Sequence, residues 1–108
     1  MKRSILMLEH DDDDRYITQT VFDERQYPVS LQFVNNSDEL IAYLLTCERH
    51  LNTFPSVILL TQHAAPLTAV EIVKYLKGSR RYSHIPVVIL SGTADQEFVQ
   101  QCYEAGAN

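Results

Sequence analysis

Two short apolar runs constrain this chain more than any other feature. Val57-Ile58-Leu59-Leu60 and Val87-Val88-Ile89-Leu90 are unbroken by polar residues, and each follows a proline, Pro55 and Pro86. Runs of this length, rich in Val and Ile and bounded by breakers, read as strands. A strand with one wet face alternates apolar and polar residues. A strand that is apolar throughout is buried on both faces, and that is the habit of central strands in parallel sheets covered by helices.

The segments around these runs fit such a sheet. Ile5-Leu6-Met7-Leu8 is a third apolar run. Val29 to Val34 mostly alternates, as an edge strand does. Asp11 to Asp14 suit a helix N-cap and first turn, since carboxylates satisfy orphan amides and favour the positive helix end. Ile17, Val21 and Phe22 then recur at helical spacing before Pro28. Asn36 and Glu39 form a helix-start pair, followed by the apolar positions Leu40, Ile41, Leu44 and Leu45. A third helix carries Val70, Val73, Tyr75 and Leu76 and stops at Gly78. A fourth begins near Thr93 and Gln96, has Phe98, Val99, Cys102 and Ala105 as its inner stripe, and ends at Gly106, which suits a left-handed terminus. Four β/α units in succession predict an α/β parallel sheet with helices on both faces. Right-handed crossovers bring the C-terminal strand ends to one edge. Glu9, His10, Thr61 and Ser91 fall there.

The composition bounds the function. At 108 residues and 45% apolar content, the chain is one domain with a core of its own. A net charge of −5 with only two short basic clusters excludes non-specific nucleic-acid binding. Cys47 and Cys102 lack metal-ligand spacing and read as free thiols of a reducing compartment. No run is long enough for a signal peptide or a membrane span. The expected setting is cytoplasmic.

Three stretches carry a family resemblance. Ile5-Leu6-Met7-Leu8-Glu9-His10-Asp11-Asp12-Asp13-Asp14-Arg15 is similar to the opening of response-regulator receiver domains. Val87-Val88-Ile89-Leu90-Ser91-Gly92 resembles their fourth strand, and Tyr103-Glu104-Ala105-Gly106-Ala107-Asn108 the segment before their fifth. The resemblance implies a CheY-like, flavodoxin-like sheet of order 2-1-3-4. Residues 1–108 would be a single receiver-like domain whose fifth β/α unit is absent from this chain. It implies signalling in a two-component phosphorelay rather than enzyme activity. The partner would be a histidine kinase or a downstream signalling protein, met by the loops Thr61 to Thr68 and Ser91 to Asp95.

The resemblance also assigns positions. Thr61 stands where the family has its phosphoacceptor aspartate. Glu9 and His10 stand at the two acidic pocket positions, and Ser91 at the switch hydroxyl. Phosphoryl transfer depends on positioning and charge stabilisation, with Mg²⁺ held by oxygen ligands. A neutral threonine and an imidazole remove two carboxylates. The expectation is a pseudo-receiver, independent of phosphorylation, with Mg²⁺ binding lost and no cofactor.

Two alternatives stand beside it. Asp11 or Asp12 could serve as replacement ligand or acceptor, although helix capping also accounts for them. Glu9, His10, Asp11 and His63 could instead form a small transition-metal module on the same fold. Finally, a missing fifth strand would leave Val87 to Leu90 as an exposed apolar edge open to self-association.

Overall fold

The computed structural model describes residues 3–50, 53–61, 66–90 and 96–108, except for the side chain of Phe98. Strands and helices alternate: β1 (Arg3–Leu8), α1 (Asp12–Glu24), β2 (Val29–Val34), α2 (Ser37–Arg49), β3 (Val57–Thr61), α3 (Ala69–Lys77), β4 (Val87–Leu90) and α4 (Gln96–Ala105). The strands form one parallel sheet of order β2-β1-β3-β4, as the family resemblance implies. The register pairs Leu8 with Val34 and with Leu60, and Thr61 with Leu90.

The core lies on one side of the sheet. Leu6 and Leu8 of β1, Ile58 and Leu60 of β3 and Val87 of β4 meet Leu40 and Leu44 of α2 and Ile72, Val73 and Leu76 of α3. All ten are fully buried or nearly so. α4 packs beside α3. The order of the sheet requires this arrangement. From β1 the chain steps outward to β2, then turns back to β3 and β4. Right-handed crossovers therefore put α1 on one face and α2 and α3 on the other.

Capping fixes the helix starts. Asp11 accepts from the Asp14 amide at 3.0 Å. Asn36 accepts from the Glu39 amide at 2.9 Å, while the Glu39 carboxylate reaches back to the Asn35 amide. Thr68 and Glu71 form a complete capping box on α3. Gly78 ends α3 in right-handed geometry, whereas Gly106 ends α4 at φ +110°. A Cβ at Gly106 would lie 2.8 Å from Lys77 Cγ. Lys77 is itself held there, its ammonium donating to the Ser83 and Ile85 carbonyls. The turn before β4 is tied to α2 as well. Arg81 pairs with Glu48, and the Tyr82 hydroxyl donates to the same carboxylate at 3.3 Å.

Two expectations need correction. On α1 the periodic residues Ile17 and Val21 are 58% and 42% exposed, and the helix buries no residue. Val99 is likewise exposed, and the inner line of α4 runs through Cys102 and Ala105. The β4 edge is not fully open. The Asn108 amide donates to the Val87 carbonyl at 2.8 Å, and the Asn108 side-chain oxygen accepts from the Val87 amide at 3.2 Å. Both outward groups of Val87 are therefore satisfied. Cys47 and Cys102 are free thiols, and burial raises the pKa of both.

Candidate functional site

The C-terminal ends of β1 and β3 lie side by side, and they position the candidate residues. Glu9 follows β1 directly. Its amide donates to the Val34 carbonyl at 2.9 Å, which carries the β1–β2 ladder one rung past the strand. The Glu9 side chain is 8% exposed, and one carboxylate oxygen accepts from the Asp11 amide at 3.3 Å. His10 points outward, 55% exposed, with Nδ1 3.8 Å from that same oxygen.

Thr61 is the last residue of β3 rather than the first beyond it. Its hydroxyl donates to the Leu8 carbonyl at 3.0 Å. A hydroxyl can donate and accept; a carboxylate only accepts. An aspartate at this position could not make the bond and would bring two acceptors together. The Thr61 proton thus ties the end of β3 to the end of β1, directly beside Glu9.

Asp11, the alternative replacement ligand, caps a helix. Its Oδ1 is the N-cap acceptor for α1. Asp12, Asp13 and Asp14 make up the first turn and are exposed. No three His, Cys, Asp or Glu side chains converge to hold a metal ion among the described residues. Mg²⁺ requires several hard oxygen ligands in octahedral geometry. The described donors at the strand ends are one buried carboxylate, one exposed imidazole, the exposed carboxylate of Asp11 and a hydroxyl whose proton is committed elsewhere. Ser91 and His63 lie outside the described residues, as do residues 62–65 of the loop 61–68 and all of 91–95.

One participant has no role in the sequence reading. Arg15, in the first turns of α1, donates through Nε to the Glu9 carbonyl and through a terminal nitrogen to Asn35 Oδ1. Its guanidinium lies 5.3 Å from the centroid of the Phe33 ring, a cation–π distance. Asn35 in turn donates to Glu39, and the Asn35 amide and side chain hold the Glu39 carboxyl below its usual pKa. The chain Glu9–Arg15–Asn35–Glu39 joins the ends of β1 and β2 to the starts of α1 and α2. The sequence does carry a signal for it. A cation near a helix N-terminus opposes the helix dipole, so an arginine there needs a tertiary partner to account for it.

Comparison with known proteins identifies the class. No family model matches the sequence, and no curated protein matches it either. Solved structures do match. A response regulator in red-light signalling of R. palustris superposes with a TM-score of 0.87 at 23% identity, over 98% of this chain and 77% of that one. The bacteriophytochrome response regulator AtBRR gives 0.83 at 26% identity, over 98% and 78%. The Mn²⁺-bound response regulator Rcp1 gives 0.84 at 23%, over 98% and 77%. The fold of this chain is thus that of response-regulator receiver domains, a CheY-like, flavodoxin-like α/β sheet.

Proposed function

We propose that this chain is a cytoplasmic receiver-type signalling domain of a two-component pathway that works by protein contact, without phosphoryl transfer to Thr61. The observation that carries the reading is the Thr61 hydroxyl, whose proton is given to the Leu8 carbonyl. A phosphoacceptor must be ionised or have a base beside it. Thr61 is a neutral hydroxyl that donates to a carbonyl, and one carboxylate oxygen of Glu9 accepts from the Asp11 amide. The neighbour Rcp1 was solved with Mn²⁺ and the neighbour RcpA in phosphorylated form. The same chemistry here would need carboxylates where Thr61 and His10 stand.

In this reading the domain is not an enzyme and needs no cofactor. The residues that replace the acidic pocket act as structure, with Thr61 and Arg15 fixing the sheet edge that a kinase or downstream protein would meet. The test is Mg²⁺ titration by calorimetry on the parent chain and on the double variant His10→Asp/Thr61→Asp. The expected result is no binding heat for the parent and saturable heat for the double variant. Saturable heat in the parent would sink the proposal.

A further inference from the structure

β2 is the edge strand at the opposite end of the sheet from β4. The Val34 carbonyl accepts from the Glu9 amide, so Val34 turns its backbone groups toward β1. Successive residues of a paired strand turn theirs to alternate sides. Gln32 and Ser30 therefore face β1 as well, while Val29, Leu31 and Phe33 face outward. The Val29 amide is already engaged by the Tyr27 carbonyl at 2.8 Å. Past the other end, the Asn35 amide is engaged by the Glu39 carboxylate at 3.0 Å. Between these two closed ends, the outward amides and carbonyls of Leu31 and Phe33 have no hydrogen-bond partner among the described residues.

Native edge strands are commonly closed to other strands by a lysine, a proline or a bulge. Residues 29–34 hold no charged residue, proline or glycine, in a chain whose net charge is −5. Their register with β1 runs unbroken from Val29 to Val34, without a bulge. Gln32 is exposed, and Leu31 and Phe33 are half-buried. The edge is flat, neutral and open over a short central stretch.

We propose that the β2 edge is a self-association site, filled by β2 of a second copy of this chain running antiparallel about a two-fold axis at Gln32. The closed ends select this register. Opposed residues of a hydrogen-bonded antiparallel pair exchange both their bonds. An axis at Gln32 sets Leu31 against the partner's Phe33, and Phe33 against the partner's Leu31. Every open amide and carbonyl of that stretch then finds a partner on both chains. Moving the axis toward either end calls on the Val29 amide or the Asn35 amide, and both are engaged. The site is thus complementary to itself, as a closed two-fold interface requires. The contact is short, which makes the pair weak and reversible, of the kind found in small signalling interfaces.

The test is sedimentation and amide exchange by NMR on the chain at concentrations from about 10 μM to about 1 mM, where weak pairs form. The mass is expected to rise from 12.4 kDa toward twice that value. The amides of Leu31 and Phe33 should gain protection as the concentration rises, while those of Ser30 and Gln32, which face β1, should not change. In this register the two Gln32 Cα atoms lie about 4.5 Å apart in a non-hydrogen-bonded pair, where like charges repel. Gln32→Lys and Gln32→Glu should each weaken association by about fivefold, and an equimolar mixture of the two variants should restore it. A chain that stays at 12.4 kDa throughout would overturn the proposal and leave the edge to a strand of a different protein. A pair indifferent to both Gln32 variants, or protection gained only at other amides, would overturn it too. Loss in each variant without recovery in the mixture would refute the two-fold register at Gln32.

Discussion

Replacing Thr61 with valine removes one hydroxyl and keeps the β-branched shape that a strand favours. In the native chain that hydroxyl donates to the Leu8 carbonyl at 3.0 Å, across 53 residues of sequence. A neutral hydrogen bond of this kind contributes about 1 kcal/mol net. Thr61 is half-buried, so water can partly replace the lost donor and the cost stays near that value. For a chain of 108 residues the unfolding entropy is about 0.23 kcal/mol/K, and 1 kcal/mol corresponds to roughly 4 °C in Tm. Thr61→Asp should cost more, because a carboxylate would then face the Leu8 carbonyl beside Glu9 with no proton to share. Thermal unfolding followed by circular dichroism reads both variants. The expected order of Tm is parent, then valine, then aspartate. If valine matched or exceeded the parent, the hydroxyl would not be holding the sheet edge, and the structural role given to Thr61 would fail.

Other consequences are independent of Thr61. Leu44→Ala should destabilise the domain by about 2–5 kcal/mol by leaving a cavity under α2, seen as a lower urea midpoint with an unchanged slope. Gly106→Ala forces a side chain into positive φ and against Lys77 Cγ at 2.8 Å, at a cost of about 1–3 kcal/mol; Gly78→Ala, at ordinary φ, should cost less. The Glu71 carboxyl is held below its usual 4.5 by the Thr68 amide and then by the Thr68 side chain. A depressed folded pKa gives stability that is present above the unfolded value and lost as pH falls through the folded one. Glu71→Gln should therefore lower stability slightly at neutral pH and flatten its loss on acidification below about pH 5, as chemical denaturation across that range would read.

Much of this architecture is legible in the residue pattern. The unbroken apolar runs at Val57 and Val87 mark sheet strands, but only the face under α2 and α3 is fully buried, and Leu90 is 44% exposed. The alternation of elements gives a parallel α/β sheet, and its order follows from the family resemblance. Asp11 and Asn36 act as caps because their short acceptors reach amides three residues on. The pattern Thr68-x-x-Glu71 is equally readable as a capping box. Other features depend on tertiary placement. An apolar stripe at helical spacing marks a helix face and does not say whether anything covers it. Ile17 and Val21 have the right period and yet lie exposed. The bond from Thr61 to Leu8 and the bridge from Arg15 to Asn35 join residues distant in sequence, and local pattern cannot supply such partners. Asn108 closes the first rung beside β4 with its side chain, a contact that strand periodicity does not encode.

The central claim is that this receiver fold carries no phosphoryl switch. The most direct measurement is intact mass after incubation with Mg²⁺ and a small-molecule acyl-phosphate donor, for the parent and for His10→Asp/Thr61→Asp. The account predicts an unchanged parent mass and, in the double variant, one added phosphoryl group that mild base removes. A base-labile phosphoryl group on the parent would contradict it, and would move the acceptor to one of the native carboxylates between Glu9 and Asp14.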